Sequence, residues 1–113
     1  DFKGYAIGIV NLQKALAAND QADVAKTLKT DYDFVKVRAT FNALTPVFDE
    51  DTQKGVDRIT RGILQDLVEA EAAAKFNDKG QRTPKKLALL SEKLTKLDGS
   101  FRKLFSYLIA DSK

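Results

Sequence analysis

The stretch from Thr83 to Ile109 constrains the fold more than any other. Its apolar residues are Leu87, Leu90, Leu94, Leu97, Phe101, Leu104 and Leu108, stepping by 3, 4, 3, 4, 3 and 4. That spacing lays one apolar stripe along one side of an α-helix. Thr83 is a good N-cap, and Pro84 suits the first helical position, where a missing N–H costs nothing. One helix cannot bury such a stripe alone, so the rest of the chain must supply partners of the same kind.

Three further segments carry helical spacing. From Phe2 to about Ala18, the residues Phe2, Tyr5, Ile9, Leu12 and Leu16 share a face. Gly4 and Gly8 sit four apart on nearly one side, which favours close packing. Asn19-Asp20 is a stop and restart, with Asp20 capping a second helix over Gln21 to Thr45. The stripe of that helix changes phase. Val24, Leu28 and Val35 serve its first part, and Phe34, Val37, Phe41, Leu44 and Phe48 its last. A bend, an irregularity or a new packing partner is expected near Thr30-Asp31-Tyr32-Asp33. Pro46 ends the helix at about Thr45.

Asp49-Glu50-Asp51 opens the third helix, placing negative charge where the peptide dipoles leave free N–H groups. Its apolar face is Val56, Ile59, Ile63, Leu67, Ala70 and Ala74. Asp57 with Arg61 and Glu71 with Lys75 are acid-first pairs at the favourable spacing. Gly55 and Gly62 weaken the helix by up to about 1 kcal/mol each relative to alanine, which close packing can offset. Asn77-Asp78-Lys79-Gly80 ends it, with Gly80 or Asn77 as the cap. The expectation for residues 1–113 is one all-α domain, a four-helix bundle with up-down-up-down topology.

Few groups are available for chemistry. There is no histidine and no cysteine, which excludes Ser/His/Asp and Cys/His nucleophile sets, disulfides and thiolate metal sites. No Walker-type phosphate loop or GxGxxG occurs. A haem would have only Tyr5, Tyr32 or Tyr107 as a ligand, and di-iron bundles need a histidine that is absent. Asp49-Glu50-Asp51 lacks the spacing of a calcium loop and reads as an acidic first turn. We expect no enzyme, no cofactor and no metal site. No apolar run approaches the roughly 20 residues of a membrane span. Methionine is also missing, and the chain begins at Asp1. A cleaved targeting peptide and a trimmed fragment fit that start equally.

Charge is unevenly placed. Between Lys75 and Lys103 nine basic residues face three acidic ones, a net +6, whereas the whole chain is +3. Lys79, Arg82, Lys85 and Lys86 concentrate at the link into the last helix. Such a cluster can steer a domain onto an acidic partner, and we single out these four as candidate docking residues. A solvated loop and exposed helix face is the plain alternative. Nucleic acid is not expected, since aromatics are not interleaved with the basic residues and no recognition motif occurs.

Several pieces of the chain share a family resemblance. They are Tyr32-Asp33-Phe34-Val35-Lys36-Val37-Arg38-Ala39-Thr40-Phe41, Asp49-Glu50-Asp51-Thr52-Gln53-Lys54, Ile63-Leu64-Gln65-Asp66-Leu67, and Thr83-Pro84. Together they resemble the PsbQ-like extrinsic proteins of photosystem II, most closely the small diatom-type members. The resemblance implies a four-helix bundle in the chloroplast thylakoid lumen, peripheral on the membrane and delivered by a cleaved targeting peptide. It also implies a non-catalytic role: docking on the lumenal face of photosystem II beside other extrinsic subunits, and helping the oxygen-evolving manganese–calcium cluster retain calcium and chloride. Plant-type members carry a long proline-rich N-terminal arm. Here the helix begins at Phe2, so docking would rest on the bundle surface. The alternative is a generic helical adaptor or lipid-binding bundle unrelated to photosynthesis.

Overall fold

Five α-helices and one 3₁₀ turn account for all regular structure among the described residues of the computed structural model, 2–19, 22–76 and 82–111. Side chains are described between Lys3 and Tyr107 within those ranges. The expected cap Asp20, the expected stop at Asn77 to Gly80, and the side chain of Leu108 fall outside them.

The organising helix, α5, spans Pro84–Asp111. Its 28 residues rise about 42 Å, most of the 49 Å length of the molecule. Thr83 caps it as expected, its Oγ1 accepting the Lys86 N–H at 3.2 Å. Leu90, Leu94, Leu97, Phe101 and Leu104 are buried and Leu87 is partly so. The 3-4 stripe is therefore the core face of α5.

Helix α4, Glu50–Ala74, is the main partner of α5. Asp49 caps it, Oδ1 accepting the Thr52 N–H at 2.7 Å. That bond holds the Asp49 carboxyl below its ordinary range. Val56, Ile63, Leu67, Ala70 and Ala74 are buried as expected, with Ile59 partly buried. Asp57 and Arg61 pair at 3.0 Å. Glu71 and Lys75 do not pair, because α4 stops at Ala74 and Lys75 takes extended backbone, ending the helix earlier than expected. Gly55 meets Tyr107, whose Oη would lie 2.9 Å from an added Cβ, whereas Gly62 faces open space. Close packing thus explains the first glycine and not the second. Gly55 near Tyr107, and Asp66 near Lys93, make α4 and α5 antiparallel.

The second expected helix is two. Helix α2 covers Ala25–Asp31 and α3 covers Phe34–Leu44, with a break at Tyr32-Asp33. Its start at Ala25 corrects the expected Gln21: Ala22 and Val24 are spent on tight-turn hydrogen bonds to Asn19 and Ala22. Asp33 restarts the chain by accepting the Lys36 N–H at 3.1 Å. Burial runs Val24, Leu28, Tyr32, then Val37, Phe41, Phe48. The one five-residue step, Tyr32 to Val37, absorbs the phase change seen in the sequence. It also corrects two core assignments, because the restart turns Val35 out to 73% exposure and leaves Phe34 at 43%. A 3₁₀ turn at Thr45–Val47 contains Pro46 and ends α3 where expected.

Helix α1, Phe2–Ala18, lies on α5 and buries Ile9, Leu12 and Leu16. The Tyr32 hydroxyl donates to the Tyr5 carbonyl at 2.5 Å, and the two rings lie 5.5 Å apart. Gly8 makes this contact possible, since a Cβ there would collide with the Tyr32 hydroxyl. Burial pushes the Tyr32 phenol above its ordinary pKa, and nearby Asp31 adds to the shift. The break between α2 and α3 is thus fastened to α1.

Candidate functional site

The fold sorts the basic residues of the +6 segment into those it uses and those it leaves out. Arg82 is used. It is 3% exposed, with Nε donating to the Ala74 carbonyl at 2.8 Å and the guanidinium 4.4 Å from the centre of the Phe76 ring. A cation fits there because the last carbonyls of α4 carry partial negative charge and the ring face is electron-rich. Burial lowers its pKa from the ordinary arginine value, and Asp23 opposes that shift. This corrects the grouping of Arg82 with an exposed cluster: it closes the end of α4.

Lys93 is also used. It bridges to Asp66 at 3.6 Å and contacts Glu69, with only 13% of its side chain exposed. The hydrogen bond to Glu69 raises its pKa, against the effect of desolvation. Glu69 is lowered, first by the amide of Gln65 at 2.8 Å and then by Lys93. Lys96 pairs with Glu92 at 3.5 Å, and Arg102 with Asp98 at 3.2 Å.

Lys75, Lys85, Lys86 and Lys103 remain, all exposed and forming no ion pair among the described residues, and of these Lys85 and Lys86 are the adjacent pair. Lys79 lies outside the described residues. Lys85 and Lys86 occupy the first turn of α5, where the dipole favours acids and no acidic residue is present. Lys86 sits three residues after the Thr83 cap, the position at which glutamate would complete a capping box. Stability alone would place the opposite charge there. Folding stability therefore does not account for this pair.

Beside these lysines α4 and α5 leave a groove of about 420 Å³, lined by Glu69, Ala72, Ala73, Lys86 and Leu89. Leu89 is 41% exposed, and Val68, one turn before Ala72, is 48% exposed. Neither belongs to the core stripe of its helix. Neither residue is among the apolar positions singled out from periodicity, and their being apolar out of phase with the stripe is the sequence signal for them.

Among the described residues no acidic cluster is arranged to hold a metal ion, and no helix is long and apolar enough to cross a membrane. No family model, curated protein or solved structure matches the chain.

Proposed function

We propose that this chain is a non-catalytic extrinsic subunit of photosystem II, held at the lumenal face of the complex and helping the oxygen-evolving cluster retain calcium and chloride. In this reading α2 and α3 count as one broken helix. The chain is then a four-helix, up-down-up-down bundle, in keeping with the antiparallel α4–α5 pair. The observation that carries docking is the pair Lys85 and Lys86, exposed, unpaired among the described residues and set against the dipole of their own helix. The photosystem as partner is supported by the PsbQ-like stretches. They fall on the α2–α3 break and α3, the start and middle of α4, and the cap of α5.

The test is rebinding to salt-washed photosystem II membranes. Rebinding should restore oxygen evolution at low calcium and chloride. Raising salt from 0.1 M to 1 M should release the protein, as the screening length falls from about 10 Å to about 3 Å. No rebinding, or rebinding indifferent to salt, would overturn the proposal.

A further inference from the structure

Resting on that docking reading, we propose that the groove between α4 and α5 receives a protein segment with one apolar anchor and one or two carboxylates about a helical turn away. Three features of the groove point to such an occupant.

The first is shape. Buried Ala73 forms the floor and exposed Ala72 the mouth, both small enough to let an incoming side chain approach the α4 backbone closely. Leu89 forms a wall and stays 41% exposed, while the neighbouring Leu90 is fully buried. Val68 extends the same apolar strip along α4.

The second is charge. The one acid in the lining, Glu69, is engaged by Gln65 and Lys93. Lys85 and Lys86 have no such partner among the described residues. An arriving carboxylate therefore meets uncompensated positive charge at one end of the strip.

The third is spacing. Leu89 lies four residues after Lys85 and three after Lys86, so their Cβ atoms are about 5–6 Å from its own. A partner satisfying both needs its acid and its anchor at a similar separation. Residues three or four apart on a helix provide this, and so do residues two apart on a strand, about 7 Å.

Other occupants fit less well. A lipid surface is flat and does not reach into a groove between two helices. A small anion would leave Leu89 and Val68 uncovered. A second copy of this patch brings lysines with no free carboxylate to meet them.

The experiment compares rebinding isotherms on salt-washed photosystem II particles, using variants whose melting curves stay close to wild type. Ala72→Gln fills the groove mouth from an exposed position, and Leu89→Ser removes the wall. Each should raise the dissociation constant by about fivefold or more while leaving its salt dependence unchanged. Lys85→Gln with Lys86→Gln should weaken binding and flatten the salt dependence. Val35→Ser, at an exposed apolar residue on α3, should do neither. If wild type binds and Ala72→Gln binds equally well, the groove is not the seat and only the charge-based docking survives. If wild type does not bind, the docking reading fails and takes this proposal with it. Leu89-dependent sedimentation with phosphatidylglycerol vesicles would point to a lipid occupant and overturn the protein segment.

Discussion

Replacing Gly8 by alanine sets two effects against each other. Alanine is more favourable than glycine in a helix interior by about 0.8–1.0 kcal/mol, so secondary structure alone favours the change. The new Cβ would collide with the Tyr32 hydroxyl and lie 3.3 Å from its Cζ. Tyr32 cannot move aside cheaply, being 5% exposed, packed on Tyr5 and bonded to the Tyr5 carbonyl. Overpacking of this kind costs about 1–3 kcal/mol, and a displaced hydrogen bond about 0.5–1.5 kcal/mol more. Mid-range values leave Gly8→Ala about 2 kcal/mol less stable than wild type. Tyr32→Phe removes the colliding oxygen and should cost about 1 kcal/mol, since the Tyr5 carbonyl remains inside α1. Adding Gly8→Ala to Tyr32→Phe should then cost little. The coupling between the two sites should be about 2 kcal/mol, read from urea titrations followed by far-UV circular dichroism. A stabilising Gly8→Ala, or additivity within about 0.5 kcal/mol, would refute the clamp between α1 and the α2–α3 break.

Other variants test separate parts of the account. Leu97→Ala, at a fully buried position, should lose about 2–5 kcal/mol, and a urea curve matching wild type would contradict the α5 core stripe. Arg82→Gln should lower the melting temperature, because the Ala74 carbonyl and the Phe76 ring lose their cation, yet leave the salt dependence of docking unchanged. Stability should also depend on pH at both extremes. The lowered Asp49 and Glu69 carboxyls stabilise the fold above the ordinary carboxylate range, and this is lost as pH falls through their lowered values. The raised Lys93 works oppositely, its contribution present below the ordinary lysine pKa and lost as pH rises through the raised value. Asp49→Asn with Glu69→Gln should therefore make the acid limb of a melting-temperature profile shallower, and an unchanged limb would count against those two contacts.

Much of the fold was legible because periodicity and caps report local geometry. The α5 stripe, the Thr83 and Asp49 caps, and the stop at Pro46 are each written within a few residues of the feature they produce. The break in the second helix was visible as a phase change. Its consequence for Val35 was not, because the restart at Asp33 decides which way the next turn faces. Tyr32 was legible as an interruption but not as a buried anchor, since its partners Tyr5 and Gly8 lie a helix away. The same limit applied to charge. Lys93 and Arg82 look like their neighbours in sequence and are distinguished only by Glu69, Asp66, Ala74 and Phe76, which come from α4 and its end.

The central claim is that an exposed cationic turn of α5 holds this chain to photosystem II. Lys85→Glu with Lys86→Glu separates that role from folding, because the two predictions carry opposite signs. Acids in the first turn suit the helix dipole, and glutamate at position 86 completes a capping box with Thr83, so the melting temperature should hold or rise. Rebinding to salt-washed photosystem II particles should weaken, with less recovered oxygen evolution at each protein concentration. A double reversal that rebinds and restores activity as wild type does, with the same salt dependence, would contradict the claim.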